Sequence, residues 1–319
     1  AGREEAEGKE LRKETPTHAF SAEVSLGAER IAYGEPAFVI AEIGLNHNGS
    51  LQLAKKLIDA AKEAGASAVK FQSYRAENRL SKKVKENRYA EELVYTEESA
   101  FAMLKRLEFG LKEHKELFAY ARKIDIPVFS TPFDIENVEL LEKVDTPFYK
   151  IASMDVLNLP LIKRVAETGK PIILSTGMST LAQIDEAVEV VRRAGNKDLI
   201  LLQCVSSYPA PAEDMNLRTM KTLHKTFGAL VGFSDHAIGL TASTVALSRG
   251  AVVIERHLTL DRFMEGPDHI LSSDPKEFKE LVRLSRTIPR ILGKGQKTIA
   301  GSEVETINKF KKGLYAKTD

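Results

Sequence analysis

From residue 37 to residue 290 the chain alternates two patterns. Short, nearly continuous apolar runs stand at 37–43, 68–71, 127–130, 148–151, 172–174, 199–203, 230–233 and 252–255. Between most of them, apolar side chains recur every three or four residues, the spacing of one helix face. These stretches cover 51–64, 112–123, 136–143, 159–168, 181–194, 215–227 and 240–249, and a last one covers 276–290. Gly65, Gly169, Gly195, Gly228 and Gly250 stand where helices should stop. Apolar runs without alternation predict strands covered on both faces, as in a parallel sheet. Eight strand–helix units in about 255 residues predict an α/β fold, the TIM (β/α)8 barrel. A doubly wound open sheet is the competing arrangement. It ordinarily carries a glycine-rich phosphate turn after a strand, and neither GxGxxG nor a P-loop sequence follows one here.

The flanks read differently. Residues 1–20 are charged and nearly devoid of large apolar side chains, which predicts a mobile extension or a short exposed helix. Residues 21–36 alternate weakly through Ala22, Val24 and Leu26 and turn at Gly27, which predicts a β-hairpin ahead of a barrel domain at 37–292. The second and third strands are unusually far apart, and residues 75–110 between them are charged and carry tyrosines. In a barrel such an insertion emerges at the C-terminal face, either as a lid or substrate wall or as a solvated helical decoration. Residues 293–319 are polar and are expected to form a tail or linker that closes no element.

Composition narrows the function classes. The chain carries 46 basic and 45 acidic residues, a net charge of +1, so nothing in its overall charge favours nucleic acid or an anionic membrane. A basic cluster must be local and would suit a small anion. The single cysteine, Cys204, excludes an intrachain disulfide and fits a reducing, cytoplasmic setting. No apolar run approaches the roughly 20 residues of a membrane span, and the N-terminus lacks the apolar core of a secretory signal.

A barrel should gather its reactive residues at the C-terminal ends of its strands. Polar residues stand at all eight ends: Glu42, Asn46 and His47; Lys70 and Gln72; Ser130, Thr131 and Asp134; Lys150, Ser153 and Asp155; Ser175 and Thr176; Gln203, Ser206, Ser207 and Tyr208; Ser234, Asp235 and His236; Glu255 and His257. Lys70 and Lys150 end apolar strands, where a lysine is expensive to bury unpaired. With Ser153, Ser175 and Ser234 they suit a phosphate and a carboxylate. Ion pairs to a neighbouring Glu or Asp, or a Schiff base on a lysine of lowered pKa, are the alternatives. His236 and His257 end consecutive strands near Glu42. They fit a metal held by two imidazoles with open positions, a proton relay, or packed core histidines. His47 lies in a Gly/Asn-rich loop and suits loop hydrogen bonding or substrate contact equally. Cys204 reads as a small buried hydrophobe, and His18, His114 and His224 as surface residues.

Eight segments carry a family resemblance: AEIGLNHNG (41–49), VKFQ (69–72), FSTPFD (129–134), KIAS (150–153), ILSTGM (173–178), CVSSYPAP (204–211), GFSDHAIG (232–239) and IERHLTLDRFMEGPDH (254–269). In this order they resemble the N-acetylneuraminate (sialic acid) synthases, a family that includes pseudaminate and legionaminate synthases and spore-coat polysaccharide proteins. The resemblance implies an enzyme, a transferase that condenses phosphoenolpyruvate with the open-chain aldehyde of an N-acylated hexosamine, releases phosphate and makes a nine-carbon 2-keto acid. It implies a divalent metal at His236 and His257, usually Mn2+, with Mg2+ and Co2+ as alternatives, and a cytoplasmic homodimer. Matched motif by motif, Lys70, Thr131, Lys150, Ser153, Ser175 and Ser234 would hold phosphoenolpyruvate. Gln72, Asp155, Ser206, Tyr208 and Asp268 would face the sugar, and Glu42 would lie beside metal and aldehyde as base or as a group behind a ligand.

Two departures stand out. Ser206 replaces the asparagine of sialic acid synthases proper, which points to the pseudaminate, legionaminate or spore-coat branch. FKKGLY (310–315) stands where the family shows an arginine-rich run, just before a small antifreeze-like domain that this chain is expected to lack. The competing readings are another phosphoenolpyruvate-using 3-deoxy-sugar-acid synthase, which should need a second basic cluster, and a sugar- or metal-binding barrel without turnover.

Overall fold

A computed structural model describes residues 19–80, 99–314 and 317. The expectation for residues 1–18, His18 included, and that for the middle of the insertion, residues 81–98, lie outside the described residues. Phe20, at the end of the charged extension, is buried in the core beneath the Arg192 guanidinium, 5.0 Å from its ring centre.

Val24–Leu26 (β1) and Glu29–Ile31 (β2) pair antiparallel as the expected hairpin. Eight parallel strands then close a barrel: Phe38–Gly44 (β3), Ala68–Ser73 (β4), Val128–Pro132 (β5), Tyr149–Ile151 (β6), Ile172–Ser175 (β7), Leu199–Cys204 (β8), Leu230–Asp235 (β9) and Val253–His257 (β10). The chain is a TIM barrel rather than an open sheet, because β10 returns to pair with β3. Helices cover the strands at 51–64, 111–123, 135–142, 159–166, 181–193, 219–227, 241–248 and 275–292. Local chemistry sets their starts: Ser50, Asp134 and Asp274 each accept a backbone N–H from the first turn. The helix expected from residue 215 begins later, at Thr219. The polar tail does close an element, a helix at Val304–Phe310.

Side chains alternate across each strand, so one strand serves two cores. Val39, Ala41 and Ile43 of β3 point outward with Leu57, Ile58 and Ala61 of the first barrel helix. Phe38 and Ile40 point inward and join Phe129, Phe148, Ile173, Ile200, Leu202 and Val253. The hairpin residues Val24, Leu26 and Ile31 belong to this inner cluster, so the hairpin plugs the barrel at its N-terminal end. Two residues further along each strand, the inward positions turn polar: Glu42, Lys70, Thr131, Lys150, Ser175, Cys204, Ser234 and Glu255. The barrel is apolar below and polar above.

Leu26 has no solvent exposure. Leu26→Ala is expected to cost about 2–5 kcal/mol of stability, read as a lowered denaturant midpoint, while ligand binding at the opposite end of the barrel stays unchanged. A midpoint equal to that of the unaltered protein would show that the hairpin is not a structural plug.

Candidate functional site

The polar end of the barrel opens into a cavity of about 660 Å3. Its floor is a row of four buried charges. Lys70 Nζ lies 2.7 Å from Glu42 Oε2 and 3.6 Å from Glu255 Oε2. Lys150 Nζ lies 3.8 Å from Glu255 Oε1. Thr131 Oγ1 accepts from Lys70 Nζ at 3.1 Å, and the Ile151 carbonyl accepts from Lys150 Nζ at 3.0 Å. Ser234 donates to Glu255 Oε1 at 3.1 Å. The lysines therefore form ion pairs and line the cavity at once, so two of the readings open to them coincide.

Electrostatics separates the four. Burial alone would protonate Glu255, but Lys150 and Lys70 outweigh it and hold the carboxyl at about 2. Burial opposes the charge on Lys70 as well, yet Glu255 and Glu42 raise its pKa. Burial dominates at Glu42, which is raised, and at Lys150, which is lowered despite Glu255. Lys150 is thus the less fully compensated cation of the two.

The histidines stand above this floor. Their ring centres are 5.6 Å apart. The Val205 carbonyl lies 2.8 Å from His236 Nδ1, and a carbonyl only accepts, so Nδ1 carries a hydrogen, and in the neutral ring Nε2 keeps its lone pair. His257 Nδ1 is buried without a hydrogen-bond partner, 3.7 Å from Asp268 Oδ2, and burial holds its pKa at about 4. Closure of the barrel puts His257 opposite Glu42 in register. Tyr208 covers both imidazoles, 4.2 Å from the His236 ring centre and 6.3 Å from that of His257. Among the described residues no three His, Cys, Asp or Glu side chains gather into a preformed cage. A metal here would rest on two imidazole nitrogens with its other positions open to water or substrate.

The remaining wall is made of hydroxyls and amides. Ser175 Oγ is buried without a partner, and Ser153 Oγ accepts from the Gly177 N–H at 3.0 Å. A Cβ on Gly177 would come within 2.5 Å of Ser206 Oγ and 2.9 Å of Ser153 Oγ, so glycine leaves room for both hydroxyls. Gln72 Nε2 donates to Glu42 Oε1 at 3.2 Å. Gly44, at φ +49°, follows the register shift after Glu42, and a Cβ there would overlap the Glu42 carboxylate.

Of the predicted site residues, Glu42, Lys70, Gln72, Thr131, Lys150, Ser153, Ser175, Ser206, Tyr208, Ser234, His236, His257 and Asp268 share this one cavity. Asp155 is not on its wall. It is buried, accepts from Asn158 Nδ2 at 3.0 Å, and has one oxygen without a partner; burial raises its pKa. Two charged wall residues were given no role from the sequence. Glu255 holds both lysines, and its parity with His257 on one strand was the available signal. Arg79, from the helix Ala76–Arg79, donates to Gln72 Oε1 at 3.1 Å and lies 4.1 Å from the Phe133 ring centre. That part of the insertion does form a wall. Cys204 is buried as expected, but on the wall, with Sγ 3.9 Å from His236 Nδ1.

Two histidines outside the cavity need correction or decision. His114 is buried rather than on the surface; its Nε2 meets Ser73 Oγ at 2.6 Å and its Nδ1 the Gly110 carbonyl at 2.8 Å. His47 is also buried, accepts from the Gly49 N–H at 3.0 Å, and stacks 4.1 Å from Phe109. It is a loop residue and does not line the cavity.

Comparison with known proteins decides the family. Residues 57–297 match the NeuB family. The chain belongs to the NeuB family. It is 45% identical over 283 residues to an N,N'-diacetyllegionaminic acid synthase of Campylobacter jejuni, covering 88% of this chain and 85% of that protein. It is 36% identical over 285 residues to a pseudaminic acid synthase of Helicobacter pylori, covering 89% of this chain and 84% of that one. Among solved structures, the N-acetylneuraminic acid synthetase of Leptospira borgpetersenii, in complex with citrate, superposes with a TM-score of 0.81 at 37% identity. That match covers 92% of this chain and 97% of the other. This NeuB-family chain is an enzyme of the synthase class. No helix among the described residues is long and apolar enough to cross a membrane.

Burial holds His47 at about 3 and His269 at about 4, and lowers His114 as well. Each binds its proton less readily folded than unfolded. The stability they carry is therefore complete above about 6.5 and is lost as pH falls from there. His47→Asn keeps an acceptor for Gly49 but removes one titration. Its stability should fall less steeply between pH 6 and pH 4, by about 1.4 kcal/mol per pH unit, in urea titrations. Equal slopes would mean that His47 is not buried neutral.

Proposed function

We propose that this NeuB-family enzyme condenses phosphoenolpyruvate with the open-chain aldehyde of an N-acylated amino sugar, releasing phosphate and giving a nine-carbon 2-keto acid. The carrying observation is one cavity that holds two lysines and unpartnered or lightly held hydroxyls below a pair of imidazoles. A molecule bearing both phosphate and carboxylate matches the lower half. A polyhydroxylated aldehyde matches the upper half, where Gln72, Arg79, Tyr208 and Asp268 offer donors, acceptors and a ring face.

A divalent metal, Mn2+ by family resemblance, is assigned to His236 and His257. The fixed Nδ1–H of His236 and the unpartnered ring nitrogen of His257 fit such an ion. When bound, it would polarise the aldehyde oxygen. Lys150, Lys70 and Ser175 neutralise and orient the enol phosphate so that C3 faces the aldehyde carbon. Held in that geometry, the two reactants lose the entropic part of the barrier, worth up to about 7–11 kcal/mol in ideal cases. As the new carbon–carbon bond forms, C2 becomes electron-poor and water adds there; the tetrahedral carbon then expels phosphate. Glu42, raised in pKa and 2.7 Å from Lys70, is placed to take the proton of that water and pass it on.

The acceptor we infer carries two N-acyl groups. The 45% identity to the diacetyllegionaminic acid synthase supports this, as does Ser206 on the wall in place of asparagine. Phosphate release from phosphoenolpyruvate should be fastest with a diacylated hexosamine, slower with N-acetylmannosamine, and absent with phosphorylated aldoses. Turnover restricted to a phosphorylated aldose would overturn the reading, and no turnover with any sugar would leave a binding barrel.

Two substitutions test the assignments. His236→Ala should lower kcat by about 10^3-fold, several kcal/mol of polarisation at 1.36 kcal/mol per decade. Retained metal-dependent turnover would remove the metal from this pair. Lys150→Ala should raise KM for phosphoenolpyruvate about 10- to 100-fold, the worth of one hydrogen bond to a charged group. An unchanged KM would place the phosphate or carboxylate elsewhere.

A further inference from the structure

Behind the two histidines, on the outer face of the same strands, lies a buried ion pair. Asp235 immediately precedes His236, and Arg256 immediately precedes His257. Asp235 and Arg256 are register partners across β9 and β10. Arg256 Nη1 lies 3.0 Å from Asp235 Oδ2, and both side chains are at most 1% exposed.

The contacts of this pair converge on the histidine backbones. Asp235 Oδ1 accepts from the Ala237 N–H at 2.8 Å, a turn that closes around His236. Arg256 Nη1 also donates to the Ala237 carbonyl at 2.9 Å. Arg256 Nε donates to Ser273 Oγ at 2.5 Å, and the Ser273 N–H in turn donates to the His257 carbonyl at 2.9 Å. Ser243 Oγ, on the helix Thr241–Ser248, donates to Asp235 Oδ2 at 2.5 Å. One guanidinium and one carboxylate thus fix the residue after His236 and the carbonyl of His257 together.

Stability alone is a poor account of this arrangement. The desolvation of two charges commonly offsets their attraction, and apolar replacements of buried pairs are often neutral or stabilising. What an apolar pair could not do is donate in three fixed directions, which the planar guanidinium does.

We propose that Asp235 and Arg256 are positioning residues that set the spacing and angle of the His236 and His257 imidazoles for a shared divalent cation. This rests on the metal reading above. His236 follows the last residue of β9, and His257, the last residue of β10, pairs with Glu42 on β3 but with no residue of β9, so the ladder between β9 and β10 stops at Asp235 and Arg256. The pair ties the two strand ends to each other at that point, from the far side of the sheet, without touching cation or substrate. Groups that orient metal ligands are typically worth 10- to 100-fold in affinity.

The test uses Co2+ as probe, because its visible bands report the geometry of its ligands. Arg256→Lys keeps the charge opposite Asp235 but loses the fork to Ala237 and Ser273. Ser243→Ala loosens Asp235 with less risk to folding, and Leu26→Ala is a control destabilised at the other end of the barrel. Co2+ should bind the unaltered protein with bands that disappear in His236→Ala. In Arg256→Lys the affinity should fall at least about 10-fold with altered bands, in Ser243→Ala it should fall less, and in Leu26→Ala it should not change. If Arg256→Lys does not fold, the decision passes to Ser243→Ala against Leu26→Ala. Absence of Co2+ binding to the unaltered protein would overturn the metal reading itself. Binding there that is unchanged in Arg256→Lys, or in Ser243→Ala where that variant decides, would overturn the positioning role alone.

Discussion

A lysine withdrawn from water keeps its charge most readily opposite a carboxylate, and at the floor of this cavity two lysines meet two glutamates. The arrangement is neutral as a set but uneven within. Lys70 lies between Glu42 and Glu255, whereas among the described residues Lys150 has Glu255, at 3.8 Å, and a backbone carbonyl. An incoming anion gains most beside Lys150, where the positive charge is least answered and burial works against it. Ser175, with its unpartnered hydroxyl, lines the same cavity. The site thus holds its cations in place with internal carboxylates.

The barrel supplies the other half of this constraint. Inward positions are apolar over the lower layers and polar only at the top, so the charged row rests on packed aromatic and aliphatic side chains. The hairpin closes the opposite end. Water can therefore approach the lysines from one side only. A low-dielectric floor strengthens every electrostatic contact above it.

The strand–helix rhythm made the fold legible, because continuous apolar runs and helical spacing are local signals that tertiary context did not override. The strand-end rule then collected most of the cavity wall. What escaped it depends on neighbours rather than on position. Glu255 stood at a strand end, but its importance lies in answering two lysines on other strands. Arg79 is on a four-residue helix inside the insertion, and its stacking on Phe133 leaves no trace in spacing. Asp155 follows β6 by only a few residues, yet a turn of 3-10 helix at Ser153–Asp155 takes it off the wall and leaves Ser153 on it. His114 looked like a surface residue because its helix is largely polar; it is buried because Ser73 and Gly110 satisfy both ring nitrogens.

β10 shows how tightly these demands are joined. Glu255, Arg256 and His257 are consecutive, and alternation sends the first and third into the cavity and the second toward the helices. The inward glutamate answers the lysines below, the inward histidine faces His236, which follows β9, and the outward arginine holds the backbone that carries both. A slip of one residue in the pairing of β10 would exchange these faces, placing a guanidinium among the lysines and removing both the carboxylate and the imidazole. Register here is fixed by charge as well as by hydrophobic pattern. The pairing of Arg256 with Asp235 outside, and of Glu255 with the lysines inside, permits one alignment of β10 against β9 and β3.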